Sequence, residues 1–350
     1  MAQPPQQQLP FRSSLAIAAT LLLLLLLRPT QSKHPRHVIR LRSPDILRPS
    51  SLAYDPFSQH FLVSSLSSPS IHSVSDAGVS QPLLSFPSPA SSTLALSLDS
   101  HRRRLLSVLT SPSPPPSLAS LSLPSHRTLF LSPLPPPSSP AATAVDFHGN
   151  TFVTDSLDGI IYRIPESGES PSVFSNSSVF SSTGLDGLAF LSLGYLLVVQ
   201  SATGRMFKVD DSDGTARRVL LNRDLPGAKG IAIRGDGTAV VASADRVWYV
   251  KTTDSWGEGA VYDEVGLDEG KVARDVAVGR DNRVYVLYEG GGGEGEDGIG
   301  IEEVRSRREE EEEEGGGMWV YMLIGFGMVY FTIWRFQMRK LVGSLNKKTN

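Results

Sequence analysis

The chain contains no cysteine. It must therefore be stable without disulfides, and it can build neither a zinc–thiolate site nor a thiol nucleophile. Histidine is sparse: His34, His37, His60, His72, His101, His126 and His148 show no HxH or HxxxH spacing that would point to a metal. Serines are abundant, yet no GxSxG elbow occurs, so the common signature of a serine hydrolase is missing. Positive charge is not in excess either. A formal net charge of −3, together with a secretory leader, argues against a nucleic-acid partner.

Long apolar runs are confined to the two ends. Leu15 to Leu27 is a stretch of thirteen almost entirely apolar residues behind Arg12, and Thr30-Gln31-Ser32 then offers the small residues a signal peptidase reads. At about 1.5 Å per residue such a stretch is too short to cross a bilayer core of about 30 Å. Residues 1–32 are therefore expected to be a cleaved signal peptide. Near the other end, Met318 to Trp334 is seventeen residues without charge, with Trp319, Tyr321, Tyr330 and Trp334 near its edges. Aromatic rings favour membrane interfaces, and the basic residues Arg335, Arg339, Lys340, Lys347 and Lys348 follow on the side expected to be cytosolic. Residues 318–334 are thus expected to be a single transmembrane helix of a type I membrane protein. Residues 306–317 would form an acidic, glycine-rich stalk, and 335–350 a short tail. Lys347 and Lys348 stand where coat proteins read a dilysine retrieval signal, which predicts residence in the endoplasmic reticulum. Asn176-Ser177-Ser178 is a glycosylation acceptor on the lumenal side.

What fills residues 33–305 is repetition. An apolar–small–apolar phrase recurs around Ala53, Ser97, Ala144, Ala189, Ala232 and Ala277, at spacings of 43 to 47 residues. Asp55, Asp99 and Asp146 follow the first three anchors by two residues, and a second apolar strand follows seven or eight residues on, at Phe61, Leu105, Phe152, Leu196, Val240 and Tyr285. Two further alternating stretches usually complete the repeat, as in "GIIYRI" then "SVFS", or "RMFKV" then "RRVLL". Four strands in about 45 residues is the arithmetic of a propeller blade. The predicted fold is all-β, a six-bladed β-propeller. Its sixth repeat lacks a last strand, which "HVIRL" (His37 to Leu41) would supply, closing the ring. Ser111 to Pro116 and Pro133 to Pro140 read as loops about the second blade, and Glu289 to Gly298 as a Gly/Glu loop in the sixth.

These blades resemble those of the regucalcin and gluconolactonase family, which overlaps with NHL-repeat propellers. The phrases "SLAYDP", "HFLVSSL", "IHSVSDAG", "GYLLVVQSATGRMFKVD", "DSWGEGAVYDEV" and "MWVYMLIGFGMVYFTIWRFQM" resemble a plant-type, membrane-anchored branch, over His37 to Asn350. In catalytic members of that family a calcium or zinc ion at the channel mouth polarises a lactone or ester carbonyl. Its ligands are a Glu, Asn residues and an Asp, each three residues before the small anchor. The corresponding positions here are Ser50, Leu94, Ala141, Asp186, Lys229 and Arg274. Ser50 replaces the Glu, Ala141 an Asn, Asp186 another Asn, and Lys229 the Asp. Calcium wants six to eight oxygens, several of them carboxylates, and lysine in the shell would repel it.

Two roles for Lys229 follow. It could pair with Asp186 on the neighbouring blade in place of a lost metal bridge. Alternatively Lys229 and Arg274 could form a cationic patch, oriented by Asp186, that binds a carboxylate or phosphate. The expected function is accordingly a lumenal, non-catalytic binding or scaffold module (a pseudoenzyme) for an unknown protein or a small anionic ligand, with no cofactor. The alternative is a metal-dependent lactone or ester hydrolase using Asp186 and either Asp146 or Asp155, with calcium as its metal.

Overall fold

Short apolar stretches of period two, separated by Gly, Asn, Asp and Pro, make strands that bury one or both faces. In the computed structural model of this chain the six repeats become six antiparallel sheets. Residues 36–346 are described, apart from 44–45, 87–89, 91, 112, 114, 181–182 and 291–297. The chain divides into two units, Arg36–Arg307 and a second that takes in the chain from Arg308. The signal peptide (1–32) and the lysine pair Lys347 and Lys348 lie outside the described residues.

In the first unit the innermost strands are Pro49–Asp55, Ser92–Asp99, Pro140–Val145, Leu185–Leu191, Gly230–Ile233 and Lys271–Val278. Each carries one of the six small anchors. Each also touches the innermost strand of the blade before and after it, and the cycle closes from the sixth back to the first. This is a six-bladed β-propeller. Closure is by the predicted N-terminal strand, observed as Val38–Arg40, which pairs antiparallel with Ile299–Val304 of the sixth blade, Ile39 opposite Ile301.

Packing follows the same sixfold plan. Six apolar clusters are found among the described residues, one at each seam between blades. Phe61, Leu52 and Leu287 fill the seam between first and sixth, Phe152, Leu188 and Leu196 that between third and fourth, and Val199, Ile231 and Val241 that between fourth and fifth. Small anchors let the inner strands converge on the axis while these larger side chains fill the widening wedge outside them.

The repeated Asp explains itself locally. Asp55 Oδ1 accepts from the Phe57 N–H (3.0 Å), Asp99 Oδ1 from the Arg102 N–H (3.1 Å), and Asp146 Oδ1 from the Asn150 N–H (2.8 Å). Each caps the turn between first and second strands. Arg104 adds a buried latch. It meets Asp99 Oδ2 (2.9 Å) in its own blade, and donates to the carbonyls of Gly149 (2.6 Å) and Glu166 (3.1 Å) in the third.

Three expectations need correction. "RRVLL" does not form one outer strand: Ala216–Arg218 completes the fourth blade, whereas Leu220–Leu221 crosses to run parallel to Glu258–Gly266 of the fifth. Buried Val219 between them anchors the crossing. Glu289 and Gly290 are the end of strand Val284–Gly290 and not part of a loop, because Glu289 pairs with both Val272 and Ile299. The stalk is helical from Arg307, within a helix Arg307–Asn346. Glutamates favour helix, and favour its N-terminal end.

The segment expected to cross a membrane, 318–334, lies inside this helix. Among the described residues no helix is long and apolar enough to cross a membrane.

Candidate ligand site at the channel mouth

A strand of strict alternation would send every second side chain along the inner strand into the blade interior. Five of the six positions picked out by the repeats escape this through bulges or irregular steps. Ser50 is an extra residue between the pairs Pro49–Ser65 and Ser51–Ser64, and Leu94 likewise between Thr93–Leu109 and Ala95–Val108. Asp186 and Arg274 are extra in the same way, and Ala141 lies in the irregular step between Pro140 and Thr143. Lys229 directly precedes the first pair of its blade, Gly230–Ala242, and its N–H also donates to the Ala242 carbonyl (2.9 Å). Bulges re-aim side chains. Here all six line one cavity of about 340 Å³ at the mouth of the central channel, within the size range of small-molecule sites.

Two glycines set how tightly the charged blades approach. A Cβ on Gly187 would lie 2.4 Å from the Lys229 carbonyl oxygen, and one on Gly230 would lie 2.5 Å from Asp275 Oδ1. Only glycine admits these contacts without displacing the neighbouring blade. The backbones of the fourth, fifth and sixth blades therefore meet right beside Asp186, Lys229 and Arg274.

The charges are arranged unevenly. Arg274 pairs with Glu289, its Nη2 and Nε donating to Oε2 at 2.6 and 2.9 Å. Asp186 Oδ2 accepts from the Ser201 hydroxyl. Lys229 is exposed and forms no ion pair among the described residues, so the expected Asp186–Lys229 pair is not made. Nor do Lys229 and Arg274 offer two free cations, because Glu289 neutralises the second.

Asp275 is the residue that repeat arithmetic misses. It sits half-buried in the cavity lining, where Oδ2 accepts from the Ser51 hydroxyl (2.6 Å) and Leu52 N–H (2.9 Å), and Oδ1 from its neighbour Val276 N–H (2.8 Å). Ser51 Oγ in turn accepts from the Leu96 N–H (3.1 Å), so one carboxylate ties the sixth blade to the first and, through serine, to the second. Burial pushes the Asp275 carboxyl up to about 6, against the hydrogen bonds from Ser51, Leu52 and Val276 that favour its charged form. An Asp within the apolar phrase "VARDVAV" was the available signal. The bulge at Arg274, which decides where Asp275 points, leaves none.

The donor set does not fit a calcium or zinc ion. The carboxylates on the cavity wall are Asp186 and Asp275, beside Lys229 and Arg274, and both oxygens of Asp275 are already engaged. Among the described residues no group of three or more His, Asp or Glu could hold a metal. Asp146 and Asp155 are buried turn caps that are not among the lining residues: Asp155 accepts from the Leu157 N–H (3.0 Å) and Ser139 N–H (3.2 Å).

No protein-family model and no curated protein matches the sequence. Solved structures do resemble the fold. The major allergen of Malassezia sympodialis aligns with a TM-score of 0.61 at 18% identity, over 77% of this chain and 96% of that one. A gluconolactonase from Xanthomonas campestris aligns at 0.54 and 14%, over 75% and 87%. A chain of the nidogen–laminin complex aligns at 0.51 and 16%, over 66% and 88%. At such identities the likeness establishes the architecture alone, one shared by an enzyme and by a member of a protein complex.

Proposed function

We propose that this chain is a membrane-tethered lumenal propeller that acts as a non-catalytic binding module, holding a small anionic group at its channel mouth. One observation carries the reading: Lys229 lines the cavity, is exposed, and has no ion-pair partner among the described residues. A cation in a concave, partly apolar wall is a ready partner for a carboxylate. Titration calorimetry of the full-length protein with a panel of small carboxylates tests this. Binding to the wild type that is lost in Lys229→Met supports the reading, and equal binding by both sinks it.

Membrane anchoring is part of the proposal. It rests on the uncharged span 318–334, the basic residues after it, and the lysine pair Lys347 and Lys348, which would bring the protein back to the endoplasmic reticulum through coat proteins. Asn176 is exposed just beyond strand Ser172–Ser175, as a glycosylation acceptor should be. Protease treatment of intact microsomes should trim only the tail, and a glycosidase should shift the band of the wild type but not of Asn176→Gln. A propeller degraded in intact microsomes would reverse the topology.

The gluconolactonase likeness favours a second reading, hydrolysis of a lactone or ester by a rearranged site with Asp186. It requires turnover that a chelator abolishes and that Asp186→Ala removes.

A further inference from the structure

The ring of six channel-mouth positions is divided, not merely charged. Blades one to three supply Ser50, Leu94 and Ala141, none of them ionisable, with Leu66 beside them in the wall. Leu66, Leu94 and Ala141 are half-buried, so part of each apolar surface still faces open space. Blades four to six supply Asp186, Lys229 and Arg274. The cavity thus has an apolar half and an ionic half.

Within the ionic half, two opposite charges on adjacent blades line the same wall without pairing. Arg274 is held by Glu289. Asp186 and Lys229 occupy adjacent blades whose backbones touch, since a Cβ on Gly187 would lie 2.4 Å from the Lys229 carbonyl. Yet among the described residues the Lys229 ammonium forms no ion pair, and of the Asp186 oxygens only Oδ2 is engaged, by Ser201. A simple anion on Lys229 would bring negative charge against Asp186, with Asp275 in the same wall. A simple cation on Asp186 would face Lys229. A ligand carrying both charges a few bonds apart satisfies both residues and leaves the wall's net charge unchanged.

We infer that the cavity binds a zwitterion with an apolar body, of the α-amino acid class: its carboxylate on Lys229, its ammonium on the free oxygen of Asp186, and its side chain against Leu66, Leu94 and Ala141. This deepens the binding reading above and depends on it.

The test is titration calorimetry of the full-length protein with leucine, phenylalanine, glycine, N-acetyl-leucine and leucinamide. Leucine and phenylalanine should bind. Burying apolar carbons should tighten binding by about fourfold per methylene-sized group, so glycine should fall at least tenfold below leucine. N-acetyl-leucine and leucinamide, each lacking one charge, should also bind at least tenfold more weakly. Asp186→Asn, with an unchanged melting profile, should lose the preference for leucine over N-acetyl-leucine. N-acetyl-leucine binding the wild type as tightly as leucine would overturn the zwitterion inference while leaving an anion site on Lys229. Failure of every carboxylate to bind a folded protein would overturn both.

Discussion

A pH series on Asp275→Asn isolates the carboxylate that joins three blades around the channel. In the unfolded chain this carboxyl titrates near its ordinary 3.8, and in the fold it titrates at about 6. Between those values the folded protein holds a proton that the unfolded chain has released. Its contribution to stability is therefore fully present below about 4 and is lost as pH rises through about 6. At 1.36 kcal/mol per pH unit the loss totals about 3 kcal/mol, an upper figure because water reaches a half-buried group. Asparagine has a similar size, cannot titrate, and sacrifices one accepted hydrogen bond at every pH, a constant cost of about 1 kcal/mol. Urea unfolding, followed through the buried Trp248 and Trp256, gives both free energies from pH 4 to 7.5. Carboxylates held below their ordinary value, such as Asp210 by the Ser212 hydroxyl or Asp268 by the Lys271 ammonium, act at lower pH and cancel in the difference. Wild-type stability minus variant stability should fall by up to about 3 kcal/mol across the series. A difference that is flat, or that grows with pH, refutes the assignment.

Gly187→Ala should cost about 1–3 kcal/mol and lower Tm by several degrees. Its Cβ would meet the Lys229 carbonyl at 2.4 Å and Val199 Cγ2 at 2.5 Å, and a packed seam yields poorly. Arg104→Met should cost about 2–4 kcal/mol by denaturant unfolding: Asp99 loses its buried partner and keeps only Arg102 Nη1 at 3.4 Å, and the Gly149 and Glu166 carbonyls lose their donor. Glu289→Gln should shift stability by less than about 1 kcal/mol, since its pair with Arg274 is roughly a third exposed. It should instead strengthen binding of plain anions by releasing the Arg274 charge, measured as a lower Kd for N-acetyl-leucine.

The ring itself could be read from the residues. Ala53 and its five counterparts mark the innermost strands because only small side chains fit near the axis, and the Asp residues two places on mark turns that need a side-chain acceptor. The closing strand was also visible in "HVIRL", since the sixth repeat ended one strand short. The site was half legible. Counting three residues back from each anchor found Asp186, Lys229 and Arg274, and all line the cavity. Their partners were hidden. Glu289 is fifteen residues from Arg274, Ser201 is fifteen from Asp186, and Asp275 reaches Ser51 across the ring closure. Such contacts depend on bulges and on registers between strands, which one sequence does not encode locally. The crossing of Leu220–Leu221 to the fifth blade is non-local in the same way.

The central claim is that the channel mouth is a ligand site built on Lys229 and not a metal site. Thermal unfolding of the full-length protein in excess calcium and in excess chelator tests it most directly. A metal at a hundred times its dissociation constant would add about 2.7 kcal/mol, which is several degrees in Tm for a cooperative domain. The account predicts superimposable curves. A chelator-sensitive drop of several degrees that Asp186→Ala abolishes would contradict it, and would place a metal where Lys229 is assigned the ligand.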